Sequence, residues 1–361
     1  METFSRTVRP DADALLANLR RAGTPRRVHF MELGIDPEVR DAVCGRFDLL
    51  AGLRRDDPFF GEKREIACQR FLGYDYVCAA LGLKRGFAFD IAADTAADMP
   101  KAKGRAFQSA HRGPIMSWAD FEKHPWPDPA AASGRSLTWF NENLPDGMCL
   151  IGNCGASFCE FLTWSMGYET LCYALFEQRD LVRAIADKLL EIAAGTMQRL
   201  LALDRVKAIW ASDDMGFKTS TLLSPADLRQ FVLPSHKAMA RMAHAAGRPY
   251  LLHCCGNIRA ILGDLLDDVR IDAKHSFEDT IERVTDAKAE YGDRVALLGG
   301  IDVDFLCRSD ASAIRRRVRA TLDACMDGGG YCLGTGNTVA NYIPLDNYLV
   351  MLDEGRRYGS A

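Results

Sequence analysis

No uninterrupted apolar run in this sequence of 361 residues approaches the roughly 20 residues that a membrane-spanning helix needs, so no membrane segment is expected. The opening stretch, METFSRTVRP, is polar and charged. It lacks the apolar core of a secretory leader, and the expected location is the cytoplasm. Blocks of like charge are also missing, apart from Arg315-Arg316-Arg317 inside a helical pattern, and the formal net charge is −4. Nucleic acid and anionic membrane surfaces are therefore not expected partners. There is no internal repeat and no low-complexity tract, which argues against solenoids and disordered arrays. No G-x-G-x-x-G follows a first apolar run. That absence removes the usual support for an open, doubly wound nucleotide-binding sheet, which stays the second choice of fold.

What is present is enough apolar material, 48% of residues, for a large core. This suits either one large α/β barrel or two ordinary domains. Twelve cysteines are scattered along the chain. A chain this long does not need disulfide stapling, so a reducing compartment is expected, with most thiols acting as small buried hydrophobes.

The second half alternates short apolar runs with helix-length segments. The runs are 148–153 (MCLIGN), 206–212 (VKAIWAS), 249–254 (PYLLHC), 271–276 (IDAKHS), 295–301 (VALLGGI) and 330–336 (GYCLGTG). One long helical stretch, 158–203, follows the first, and another helix is expected over 225–246. The first half adds 27–33 (RVHFMEL), about 74–80 and 87–91. Runs of four to seven apolar residues bounded by Gly, Asp or Asn are the pattern of buried parallel strands in βα units. Eight or nine of them favour a single (β/α)8 TIM barrel over residues 1–361, with residues 1–25 as an N-terminal helical extension. The Pro-rich stretch 123–132 (KHPWPDPAAA) reads as a surface connection within that domain.

In such a barrel the working residues stand where strands end. His253 and Cys255 are two apart at a strand end and point to the same side, so both can reach one ion. Imidazole and thiolate suit zinc, although a buried histidine beside core cysteines is the simpler alternative. Asp213 and Asp214 point in opposite directions, so at most one faces a pocket. There it would serve as an acid, base or hydrogen-bond acceptor, and otherwise as a cap for the next helix. Glu32 is a candidate base or metal ligand, or an exposed turn residue. Lys218, His275, Glu278, Asp302, Thr335 and Asn337 complete the group as candidate substrate-binding or catalytic residues, and two glycines beside Thr335 allow close approach of a ligand.

Taken together, SDDMGFKTSTLLSP (212–225), LLHCCGN (251–257), AKAEYGDRVALLGGID (287–302) and GGYCLGTGNTVANYIPLDN (329–347) resemble the uroporphyrinogen-decarboxylase superfamily. The resemblance runs from about residue 148 to the C-terminus, with fainter echoes at 26–34 and 124–129. It implies the TIM-barrel fold and one of two chemistries. The decarboxylases carry an N-terminal MRQAGR-type motif, where this chain has RRVHFMELG, and a Gly-His-Gly, where it has Gly334-Thr335-Gly336. The other chemistry is methyl transfer to or from a corrinoid, on a zinc site with a His-x-Cys pair, which His253-x-Cys255 matches. The later third cysteine of that site falls at Asn337, so the resemblance leaves Cys332 or Glu32 as third ligand.

The resemblance thus implies a corrinoid-linked methyltransferase, with zinc and with methylcobamide arriving on a separate carrier protein. The small substrate would be an O-, N- or S-methyl compound or a thiol acceptor, and a homodimer is a further implication. A metal-free decarboxylase of a tetrapyrrole acid, a non-catalytic tetrapyrrole or pterin binder, and an unrelated metal-dependent barrel hydrolase are the competing readings.

Overall fold

A computed structural model describes residues 4–87, 89–93 and 104–359. Nine strands form among them: β1 (Tyr76–Ala80), β2 (Asp90–Ala92), β3 (Arg105–Phe107), β4 (Cys149–Asn153), β5 (Val206–Ser212), β6 (Tyr250–His253), β7 (Ala273–His275), β8 (Ala296–Leu298) and β9 (Tyr331–Cys332). Seven of them make one parallel sheet in the order β1-β4-β5-β6-β7-β8-β9. The sheet is curled, with helices returning between most successive strands. All of β6, β7 and β8 is buried, as a parallel sheet covered on both faces requires.

Two expected strands differ. The run 27–33 makes no ladder and touches the sheet through one parallel bridge, Phe30 to Leu333. Beyond the bridge, Glu32 is held by a side chain: the Tyr76 hydroxyl accepts from Glu32 N–H at 2.9 Å and donates to Glu32 C=O at 3.0 Å. The run 87–91 contributes to β2, which pairs antiparallel with β3 in a separate two-stranded sheet. Residue 88 of that run and residues 1–3 of the expected N-terminal extension lie outside the described residues. Within 1–25, helix Ala12–Leu19 buries Leu15, Leu16 and Leu19. Its Asn18 bridges to the start of β9, donating to Tyr331 C=O and accepting from Gly330 N–H.

The long helical stretch after β4 is three helices, Phe158–Met166, Tyr168–Glu177 and Arg179–Leu201. Gly167 makes the first break, at φ +84°. A Cβ there would stand 2.5 Å from the Arg112 amide, so no other residue fits without a shift. The expected 225–246 helix likewise divides, at Val232, into Pro225–Phe231 and Leu233–Ala245. All twelve cysteines are free; Cys78, Cys172, Cys255 and Cys307 are partly exposed and the others are buried. No helix among the described residues is long and apolar enough to cross a membrane.

Candidate active site

Register brings the site together. Ser212 pairs with His253, and His253 with His275, so β5, β6 and β7 end side by side. The residues just beyond those ends therefore meet. An Asp214 carboxylate oxygen, a His253 ring nitrogen and Cys255 Sγ all lie within 4.8 Å of one another. His253 Nε2 is 3.2 Å from Cys255 Sγ and 3.6 Å from Asp214 Oδ1, which also accepts from the Cys255 amide at 3.0 Å. Two glycines permit this approach. Gly256 has φ +80°, and a Cβ on it would stand 2.2 Å from the Gly216 carbonyl carbon. Gly256→Ala is expected to cost roughly 1–3 kcal/mol from backbone strain alone, and urea unfolding with metal titration would show stability and site lost together.

The adjacent aspartates have separate duties. Asp213 is fully buried and accepts from Cys159 N–H and Glu160 N–H, both at 2.9 Å, at the start of helix Phe158–Met166. That helix has no side-chain cap of its own, and Asp213 supplies one from another strand. His236 Nε2 lies 2.8 Å from Asp213 Oδ2 and is itself held by the Tyr250 hydroxyl. Asp214 is the partly exposed member of the pair and faces the site.

Burial sets the protonation of the donors. Desolvation lowers His253 to about 4, against the opposing pull of Asp214, so its imidazole is neutral at pH 7. Burial, with Asp214 adding to it, pushes the Cys255 thiol up. The sulfur accepts from Asn337 Nδ2 at 3.3 Å and lies 3.7 Å from the Ser276 hydroxyl. Ser276 takes the left-handed φ of +89°, and Lys274 Nζ holds its carbonyl at 2.9 Å. A positive cofactor bound at the sulfur would reverse the thiol's preference and favour thiolate.

The residues expected from the sequence divide into three groups. Asp214, His253, Cys255, His275 and Asn337 come together. Cys332 and Glu32 do not join them. Cys332 is buried at the end of β9, where Asn18 Nδ2 reaches its sulfur at 3.4 Å. Glu32 is buried against Thr335, whose amide and hydroxyl reach its two oxygens at 2.8 and 2.5 Å. Asp214 therefore stands where a third ligand was sought. Glu278 and Asp302 line a neighbouring cleft of about 540 Å³ that also touches Asn337, Phe277, Phe305 and Tyr342. Asp302 is occupied as a helix cap, accepting from Phe305 N–H and Asp279 N–H. Lys218 is exposed on a short turn closed by a bridge between Gly216 and Thr221.

Burial raises Glu32 from the ordinary 4.5 to about 8, against the Thr335 hydrogen bonds. The folded protein therefore holds this proton more tightly than the unfolded chain. The resulting stability is fully present below about pH 4.5 and is lost as pH rises through about 8. Glu32→Gln is expected to remove that dependence, so its stability advantage over wild type, measured in urea, should grow from about pH 5 to about pH 8.

Glu160 was not singled out in the sequence. Its carboxyl takes hydrogen bonds from the Asp214 amide and Ser157, and burial followed by Asp214 raises it to about 9. The one available signal was its position in the first turn of the helix that follows β4.

The sequence model of the uroporphyrinogen decarboxylase (URO-D) family matches residues 98–358. A uroporphyrinogen decarboxylase from Cupriavidus necator is 36% identical over 78 residues, 21% of each chain. The methylcobamide:CoM methyltransferase MtaA of Methanosarcina barkeri is 28% identical over 126 residues, 35% of each chain. The matched segments thus span about a fifth and about a third of these curated relatives. A solved methyltransferase from Methanosarcina mazei has the same fold, with a TM-score of 0.67 over 96% of this chain and 98% of its own, at 15% identity. The family match takes in β4 to β9 and every residue of the Asp214–His253–Cys255 cluster, and the chain belongs to the uroporphyrinogen decarboxylase family.

Proposed function

We propose that this protein is a methyltransferase that moves a methyl group between a small substrate and a cobamide carried by a partner protein. The observation that carries this reading is the convergence of Asp214, His253 and Cys255. One nitrogen, one sulfur and one oxygen donor is the donor chemistry of a catalytic zinc site. Bound zinc would supply positive charge that favours the deprotonated form of a thiol or alcohol at neutral pH.

The protein's own groups prepare that site. Neutral His253 offers a lone pair, Asn337 and Ser276 orient the Cys255 sulfur, and Asp214 adds negative charge. The adjoining cleft, lined by Glu278 and Asp302, is the proposed place for the small substrate, an O-, N- or S-methyl compound or a thiol acceptor. The similarity to MtaA supports the corrinoid partner. Closure of the seven-stranded sheet into an eight-stranded barrel through residues 28–31, a single domain and a cytoplasmic location are part of the same reading.

Decarboxylation of a poly-acidic tetrapyrrole is the weaker alternative, supported by the Cupriavidus necator segment. It needs cationic groups, whereas Glu278, Asp279, Asp302 and Asp304 outnumber Arg308 along the cleft.

Zinc content of wild type, Asp214→Asn, His253→Ala and Cys255→Ser, purified without chelator, tests the site. About one zinc per wild-type chain, lost in the variants, is expected. Methylcobalamin consumption with thiol acceptors then tests the transfer, and metal-free wild type with full activity would sink the mechanism.

A further inference from the structure

The candidate metal site contains a second imidazole that the donor set does not use. His275 ends β7 in register with His253, and their Nδ1 atoms are 2.7 Å apart. Both side chains are buried. Between two neutral imidazoles only one Nδ1 can donate at such a contact. The choice decides which nitrogen of His253 keeps a free lone pair. If His275 donates, His253 carries its hydrogen on Nε2, facing Cys255 and Asp214, and no lone pair remains for an ion. If His253 donates, its Nε2 lone pair points into the cluster.

The surroundings favour the second arrangement. The Cys255 sulfur already accepts from Asn337 Nδ2, and its own S–H has His253 Nε2 as an acceptor at 3.2 Å. His275 then carries its hydrogen on Nε2. That atom is buried without a well-aligned hydrogen bond, and the Thr335 carbonyl is the acceptor beside it.

We propose that His275 is a positioning residue: its Nδ1 accepts the Nδ1–H of His253 and so presents the His253 Nε2 lone pair to a metal held with Asp214 and Cys255. The proposal rests on the metal-dependent reading of the site. Partners outside the donor set commonly fix a ligating histidine in this way, usually through a carboxylate or carbonyl; here the partner is another imidazole.

Two measurements test it without reading methyl transfer. The first is nitrogen-15 NMR of the apo protein labelled in its histidines, with His253 assigned by its loss in His253→Ala. His253 is expected as the Nδ1–H tautomer, and the Nε2–H tautomer would overturn the proposal. The second is cobalt(II) titration of wild type, His275→Phe and His275→Asn, with folding checked by circular dichroism. Phenylalanine keeps the ring and removes the acceptor, and should weaken cobalt binding roughly 10- to 100-fold. Asparagine, with an amide oxygen as acceptor, should restore most of it. Wild-type affinity in a folded His275→Phe would overturn the positioning role while the metal reading stood. No cobalt binding by wild type would overturn both. If His275→Phe fails to fold, the wild-type tautomer still decides.

Discussion

Cys255→Ser is expected to lower kcat/KM for methyl transfer by roughly a thousandfold or more and to empty the metal site. Serine keeps the shape but not the chemistry. A thiol becomes an anionic ligand under a metal's charge far more readily than a hydroxyl does. Losing several kcal/mol of charge stabilisation corresponds to that rate loss, since about 4 kcal/mol is about three powers of ten. The hydroxyl would still find Asn337 and His253 at hydrogen-bond range, so the fold should survive. Zinc per chain, urea midpoint and methylcobalamin turnover on the same preparation separate these effects. Normal turnover from a zinc-free Cys255→Ser protein would remove Cys255 from the chemistry.

Asp213→Ala should do the opposite: it should destabilise the protein by roughly 3–5 kcal/mol and leave the donor set in place. The carboxylate caps two helix N–H groups and holds His236, all in a buried setting. Removing it strands those donors without solvent, and Tyr250, on the far side of His236, loses its ordered neighbour. Asp214→Asn provides the contrast. Its partly exposed side chain has little buried structure to support, so metal should be lost with a small change in urea midpoint. Asp213→Ala protein that is as stable as wild type but inactive would return Asp213 to the catalytic list.

These two aspartates show how far sequence reasoning reaches. Strand alternation already required adjacent residues to face opposite ways, so only one could serve the site. Which one depended on helix Phe158–Met166, whose N-terminus lies over Asp213. Nothing within a few residues of Asp213 encodes that contact. The third ligand shows the same limit. Cys332 looked suitable because it is a thiol on the last strand, yet its sulfur lies against Asn18 of helix Ala12–Leu19 and not in the Asp214–His253–Cys255 cluster. Glu32 looked like a residue at the mouth, and the Thr335 amide and hydroxyl claimed both its oxygens.

The sequence by itself determined the parallel α/β architecture, because buried strands need short apolar runs and helices need longer amphipathic ones, and their alternation is a local property. It also determined the His253–Cys255 pair, because two residues on one strand end share a side whatever surrounds them. Only the tertiary structure decided that Asp214 completes the cluster, that Asp213 is a cap, and that His275 stands against His253. Those pairings depend on how β4, β5, β6 and β7 align in register and on which helix end covers which strand. Such alignments are settled by packing across the whole sheet, over separations that no local pattern records.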